Sequence, residues 1–396
     1  MLLHGGSTTK VFVDAALAQL ILNGSYPVLN GGWSTPISSI IRDDFVLQDE
    51  WATNHLALED AASHRTVPNR DLVRNLCNLP LTAPPRVIFH YCNLMYITLS
   101  HVVETVTGRR LKDVLREAVW APLGMKSTYL DLQEARDAGK KLAQGYLWNQ
   151  EDKQYMAVFD PIQESSGAGG IVSSVLDYAK WLKCPLRQTR PFSSLAHGEI
   201  RTPRVIYEAA PAAGYDVTLY GLGWSRTVFH GQAMYSHNGA TGAFGAFQGP
   251  PHRRTEGGAQ RPPGQNRQRR RRAIPRETSP RPPPTQNTTR LAGTYLDPGY
   301  GTIQLKEMTD PEDAASAVLV GDRSGIIIDS DVLLRHVSGD YWVLHLSSAD
   351  VPLEMGAALA AEFKFGSDGS ASALEVIWGQ AKPGLREVKV LFNKME

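Results

Sequence analysis

Ser7-Thr8-Thr9-Lys10-Val11-Phe12-Val13-Asp14-Ala15-Ala16-Leu17-Ala18-Gln19-Leu20-Ile21-Leu22, closed by Asn23-Gly24, is the stretch on which the reading of this chain turns. Val11, Phe12, Val13, Ala16, Leu17, Leu20 and Ile21 supply apolar faces at helical spacing, so a helix is expected over 7–23, ended by Asn23-Gly24. Ser7 and Lys10 stand one turn apart and share a face. A helix N-terminus offers free N–H groups and a positive dipole to a developing oxyanion. A desolvated lysine beside a serine is a base for its hydroxyl proton. The S-x-x-K spacing alone carries little weight, since about one arises by chance in a chain this long.

The chain has 396 residues, more than one ordinary core needs, and two domains are expected. Apolar residues make up 42% and charged residues 20%, which excludes a mostly disordered chain, a coiled coil and a collagen-like repeat. No run of eighteen apolar residues is present, so no membrane-spanning helix is expected. The net charge of +1 hides an asymmetry: residues 251–290 carry eleven Arg against two Glu, leaving −8 for the rest. Three cysteines without CxxC spacing do not make a disulfide framework. With no signal-peptide pattern at the start, the expected compartment is the cytosol.

Along the chain, residues 24–95 read as loop-rich, with short helical pieces near Leu56–Ala62 and Arg70–Asn78. Tyr96–Thr107 and Leu111–Trp120 read as amphipathic helices separated by Gly108. A Gly-rich turn, Ser165-Ser166-Gly167-Ala168-Gly169-Gly170, leads through Ser173/Ser174 as N-cap into a helix over Val175–Lys183. Strands are expected at Leu219–Trp224 and Ala233–His237. Residues 249–290 lose nearly all apolar side chains and read as a disordered linker or a mistranslated segment. In 291–396, seven short alternating runs (Thr302–Leu305, Ala317–Val320, Val332–His336, Tyr341–Leu346, Glu362–Phe365, Leu374–Ile377 and Val388–Phe392) suggest a small antiparallel barrel or sandwich.

Two further motifs carry chemistry. In Phe89-His90-Tyr91-Cys92-Asn93-Leu94-Met95-Tyr96, a tyrosine beside an ammonium is expected to be partly deprotonated and to share the proton shuttle. An Asn two residues on orients the lysine and binds a substrate carbonyl. In His237-Asn238-Gly239-Ala240-Thr241-Gly242, Gly239 is expected to let substrate approach the backbone. The N–H of Ala240 completes an oxyanion hole with that of Ser7.

The order S-x-x-K, Y-x-N, H-x-G, with the Gly-rich turn between the last two, resembles the serine β-lactamase and penicillin-binding protein superfamily. The likeness is to its class C β-lactamase-like hydrolases of filamentous fungi and covers about 3–248. Leu56-Ala57-Leu58-Glu59-Asp60-Ala61-Ala62-Ser63-His64-Arg65-Thr66, Pro80–Arg86, Pro122–Thr128 and Tyr220-Gly221-Leu222-Gly223-Trp224 support it. Residues 291–396, opening with Leu291-Ala292-Gly293-Thr294-Tyr295, look like the lipocalin-like domain often appended to such hydrolases.

The resemblance implies an α+β fold: an antiparallel sheet flanked by helices, with a helical lobe (roughly 24–150), followed by a small β-barrel. The domains expected are 1–248, the linker 249–290, and 291–396. It also implies acyl transfer, with Ser7 attacking an ester, thioester or amide carbonyl of a small molecule. Lys10 and Tyr91 move its proton, Asn93 positions the substrate, and His237, Gly239 and Ala240 line the binding edge. His237 stands where β-lactamases and transpeptidases usually carry Lys; a neutral imidazole weakens a carboxylate site and favours an esterase or transacylase.

The chain departs from the family pattern at both ends of this region. Only six residues precede Ser7, and the Arg/Pro tract begins where another sheet strand and a long helix follow the H-x-G. Val67 stands where the family prefers Gly. Missing N-terminal strands, and a truncated or mis-spliced chain with unpaired sheet edges, are therefore expected. The alternative function is a catalytically inactive relative or ligand-binding protein. The Arg-rich run Gln265–Arg272 lacks interleaved aromatic residues, so no nucleic-acid partner is expected. No metal-ligand spacing, P-loop or complete GxGxxG occurs, and no metal or cofactor is expected.

Overall fold

In the computed structural model, the described residues are 1–61, 69–149, 153–158, 167–211, 214–240, 245–248, 282–310, 313–324, 330–347, 357–379 and 385–395. Most of the basic tract, Ser165-Ser166, 62–68 and Thr241-Gly242 lie outside them. The chain forms two compact units. The first comprises Met1–Cys77, Pro84–Tyr146 and Ala157–Arg253; the second comprises Asn78–Ala83, Leu147–Met156 and Arg254–Glu396.

At the centre of the first unit lies the helix that opens the sequence. It begins as a 3-10 turn over Gly6–Thr9 and continues as an α-helix over Lys10–Leu22. Val11, Phe12, Val13 and Ala15–Ala18 are all fully buried, as expected of a helix apolar on every side. Phe12 packs its ring against Trp181, Tyr178 and Trp120, with centroids 4.6, 5.9 and 6.5 Å away. Leu94–Thr107 forms a second buried helix, stopped by Gly108 in the left-handed conformation at φ +65°. Leu111–Leu115 follows and widens into a π-helical turn over Arg116–Trp120.

A five-stranded antiparallel meander lies in the same unit: Val205–Glu208, Thr218–Gly221, Trp224–Phe229, Gln232–Ala240 and Gly245–Gln248, paired in chain order. The single strand expected over Leu219–Trp224 is instead a hairpin. Leu222 (φ +41°) and Gly223 (φ +77°) take the two left-handed positions of a type I′ turn, and His230 (φ +46°) and Gly231 (φ +78°) make the next one. Leu3–His4 pairs with Val172–Ser173, which in turn pairs with Thr128–Tyr129. The helix expected over Val175–Lys183 runs on to Arg187, through Pro185, and is capped by the Ser174 hydroxyl. Near Leu56–Ala62 the described residues form a 3-10 turn, Leu58–Asp60; an α-helix lies just before it at Glu50–His55.

The second unit holds a closed eight-stranded antiparallel barrel. Its strands are Gly293–Asp297, Gly301–Asp310, Asp313–Ser324, Ser330–Ser338, Tyr341–Ser347, Ala357–Phe365, Ala371–Gly379 and Val388–Lys394. The strand that the alternating pattern missed, Gly293–Asp297, closes the barrel by pairing with Val388–Lys394. Side chains fill the interior, among them Tyr295, Trp342, Phe363 and Phe392, as suits eight strands. Residues 282–290, read as the end of the linker, are anchored within this unit. The Gly339 N–H donates to the Pro282 carbonyl, Thr285 donates to Asp340, and Asn287 caps the turn Thr288–Leu291. No helix among the described residues is long and apolar enough to cross a membrane.

Truncating Phe12 to Ala leaves a cavity under three aromatic rings. The expected loss is about 3–5 kcal/mol of unfolding free energy, read from guanidinium denaturation followed by tryptophan fluorescence.

Candidate active site

The long buried helix drives Lys10 into the interior: its side chain is fully buried. Its Nζ donates to the Asn93 Oδ1 at 2.8 Å and to the Ala168 carbonyl at 2.7 Å, and is in hydrogen-bond contact with the Ser7 Oγ at 3.0 Å. The amine also lies 5.0 Å from the centre of the Tyr91 ring and 5.5 Å from that of Tyr96. Desolvation lowers its pKa from 10.5 to about 7, against the opposing charge of Asp14. Near neutral pH a substantial fraction of Lys10 is therefore an uncharged amine.

The Gly-rich turn provides one of these contacts through its backbone. Gly167 N–H donates to the Ser100 Oγ at 3.1 Å, and Ile171 N–H donates to the Thr9 Oγ1 at 3.1 Å. Between these two ties the Ala168 carbonyl is aimed at Lys10. A Cβ on Gly167 would lie 2.5 Å from both Ser100 Oγ and Val13 Cγ2, so the turn seats against the helix only as glycine.

Tyr91 and Asn93 arrive on the segment that leads into Leu94–Thr107. The loop before them is clamped by Arg86, which donates to both oxygens of Asp60 and to the His55 carbonyl. Phe89 then packs on Tyr207 and Tyr220, with centroids 5.2 and 4.9 Å away. The Tyr91 ring faces the Lys10 amine, and the nearby Ser7 favours the ionised form of its hydroxyl. Contrary to the expected partial deprotonation, burial pushes Tyr91 up to about 12, so it remains a phenol and a proton donor at neutral pH. Cys92, beside it, is likewise pushed up to about 11 by burial. All three cysteines are free thiols.

The third motif ends the strand Gln232–Ala240. His237 is buried, and desolvation together with the nearby Lys10 lowers it to about 3, leaving a neutral ring. Its Nδ1–H donates to the Asn238 carbonyl at 2.6 Å, and its Nε2 accepts from the Tyr220 hydroxyl at 3.2 Å. Gly239 has a packing role. A Cβ there would sit 2.0 Å from the Gly5 carbonyl oxygen, so this glycine admits the chain's own backbone. Gly6, at φ +52°, also lies close: a Cβ on it would be 2.9 Å from the Ala240 nitrogen. The strand end and the helix start thus meet backbone to backbone, and Ala240 N lies beside the residue preceding Ser7.

The structure gathers Ser7, Lys10, Tyr91, Asn93, His237, Gly239 and Ala240 in one place. It adds groups that the sequence did not single out. The Ala168 carbonyl, Tyr220 and Tyr96 are among them, as is Asp14, whose Oδ2 accepts from the Tyr96 hydroxyl. Among the described residues, no group of three or more His, Cys, Asp or Glu side chains is arranged to hold a metal ion.

Residues 2–249 match the family described as Beta-lactamase. The chain is 31% identical to an unguisins hydrolase of Aspergillus campestris over 99% of its own length and 83% of that protein's. It is 27% identical to a D-aminopeptidase of Cereibacter sphaeroides over 50% of this chain and 36% of the aminopeptidase. In fold it is similar to the octameric penicillin-binding protein homologue from Pyrococcus abyssi (TM-score 0.53, 17% identity), over 99% of this chain and 88% of that one.

Replacing Gly239 by Ala forces the strand end away from Gly5 and displaces the Ser7 backbone. The expected result is a folded protein whose Ser7 reacts with a fluorophosphonate on the order of 100-fold more slowly, measured by intact mass. A wild-type rate would mean that this backbone contact does not set the serine's position.

Proposed function

This chain belongs to the Beta-lactamase family, and from that membership we propose that it hydrolyses an amide bond of a small peptide-like substrate through an acyl-enzyme on Ser7. The observation that carries the reading is the set of partners around Lys10 Nζ. Two of them, the Asn93 Oδ1 and the Ala168 carbonyl, only accept hydrogen bonds; the third is the Ser7 hydroxyl. An uncharged amine has two hydrogens and one lone pair. The two carbonyl oxygens take the hydrogens and leave the lone pair facing the serine proton.

In the proposed reaction Ser7 Oγ bonds to the substrate carbonyl carbon while its proton passes to Lys10 Nζ. The carbonyl π pair moves onto oxygen, where the N–H groups of Ser7 and Ala240 receive it. The Asn93 amide, its oxygen held by Lys10, keeps its NH2 for a substrate carbonyl. Collapse of the intermediate breaks the bond to the leaving nitrogen, which takes a proton from Lys10 directly or through the Tyr91 phenol. Water or a second acceptor then attacks the ester carbon on Ser7 and gives its proton to Lys10; the bond to Ser7 Oγ breaks, and Oγ takes that proton back as the product leaves. Esters and thioesters are open to the same steps.

The amide preference is supported by the likeness to a D-aminopeptidase, and the hydrolytic outcome by the likeness to that enzyme and to the unguisins hydrolase. The neutral, buried His237 supports a substrate without a carboxylate at that edge.

Lys10 serves as base only when uncharged, so hydrolysis should rise with pH through a single limb near 7. The assay is a panel of D- and L-aminoacyl p-nitroanilides and aryl esters. His237, neutral from about pH 3 upward, adds no limb in the working range. Ser7→Ala and Lys10→Met should each lower kcat by on the order of 1,000-fold or more. An unchanged rate in either variant contradicts the assignment.

A further inference from the structure

Asp14 takes no part in these steps, yet its position calls for an explanation. It follows Lys10 by four residues, which puts the two on one helix face about a turn apart. They are the only charged residues between Lys10 and Leu22, and Asp14 is 1% exposed among Val11, Phe12, Val13 and Ala15. Burying a carboxylate in such surroundings is costly unless both of its oxygens are satisfied. Only Oδ2 accepts a hydrogen bond, from Tyr96; Oδ1 is buried with no hydrogen-bond partner among the described residues. Gly223 of the hairpin turn seals the site, since a Cβ on it would lie 2.9 Å from Oδ2 and 3.1 Å from Val11 Cα. Structural acids of this fold look different. Asp177, for example, accepts from Ser127 N–H, Thr128 Oγ1 and Lys180 Nζ.

We propose that Asp14 is a positioning residue for the reaction: a buried counter-charge, held by Tyr96, that stabilises the ammonium formed when Lys10 takes the proton of Ser7. This rests on the reading of Lys10 as the base. The groups facing the pair leave that task to Asp14. Around Lys10 stand Ser7, Asn93, the un-ionised Tyr91 and Cys92, and the neutral His237. Around Asp14 stand Tyr96 and Tyr220, both held protonated by burial. The cation Arg204 also acts on Asp14, but it is occupied by Glu59 at 3.2 Å and Glu199 at 2.7 Å. The arrangement is that of a nucleophile, a base and a carboxylate, with the carboxylate acting through its charge. The proton count is unchanged: the proton leaving Ser7 resides on Lys10, and Asp14 only sets how readily that charge forms.

The test is the rate of fluorophosphonate labelling at Ser7, followed by intact mass from pH 5 to 10, in wild type, Asp14→Asn and Tyr96→Phe. Without the counter-charge Lys10 becomes a weaker base. The acidic limb in Asp14→Asn should move to lower pH by about one unit or more, and the plateau rate should fall by about tenfold. Tyr96→Phe, which removes the hydrogen bond that favours the ionised carboxylate, should move the limb the same way by less. A folded Asp14→Asn with the wild-type limb overturns the proposal. If Asp14→Asn does not fold, an unmoved limb in Tyr96→Phe overturns it instead. An adduct that persists in Ser7→Ala overturns the acyl-enzyme reading and the role of Asp14 with it.

Discussion

The constraint at the heart of the first unit is that one lysine is kept dry. A lysine placed at the start of a surface helix is solvated and charged near neutral pH, with no affinity for a serine proton. Here the helix behind it is apolar all round and is covered on every side, so Lys10 enters the core and its charged form is disfavoured. Two fixed carbonyl oxygens orient what remains of its hydrogen-bonding capacity. The position of the amine is then set by packing: Phe12 under its aromatic rings, the Gly167 turn against Val13, and Gly239 against Gly5. Burial works against both charges, lowering Lys10 and raising Asp14, while the Tyr96 hydrogen bond and the charges of Arg204 and Lys10 favour the ionised Asp14.

Glycine does much of this positioning, through what it leaves out. Gly5, Gly6, Gly167, Gly223 and Gly239 all stand where a methyl group would meet backbone or buried side-chain atoms within about 3 Å. Three separate chain segments can therefore close on the helix start at backbone distance. The helix start supplies Ser7 and Lys10 and a strand end supplies His237, while loops bring Tyr91, Asn93 and the Ala168 carbonyl to them.

The three motifs were legible in the sequence because side-chain chemistry and spacing carry them, and Ser7, Lys10, Tyr91, Asn93 and His237 do converge. The groups that the sequence hid are of another kind. Ala168 contributes a backbone carbonyl, which any residue would offer. Asp14 looks from sequence like an ordinary solvated helix acid; only its burial marks it. The packing of Gly239 against Gly5 is hidden for the same reason, since the two lie more than two hundred positions apart. In the fold, the strand pattern at Leu219–Trp224 gave no warning of a turn because Leu222 takes a left-handed conformation that leucine rarely adopts. Seven of the eight barrel strands followed from alternation; Gly293–Asp297 buries only Tyr295 in full and offers little pattern to read.

The account therefore stands on the protonation state of Lys10. The direct measurement is an NMR titration of protein labelled with 13Cε-lysine, with the Lys10 signal assigned by its loss in Lys10→Met. A midpoint near 7 is the result predicted. A midpoint at the ordinary lysine value near 10.5 would mean that the amine is charged at working pH, and that the base for Ser7 must be sought elsewhere.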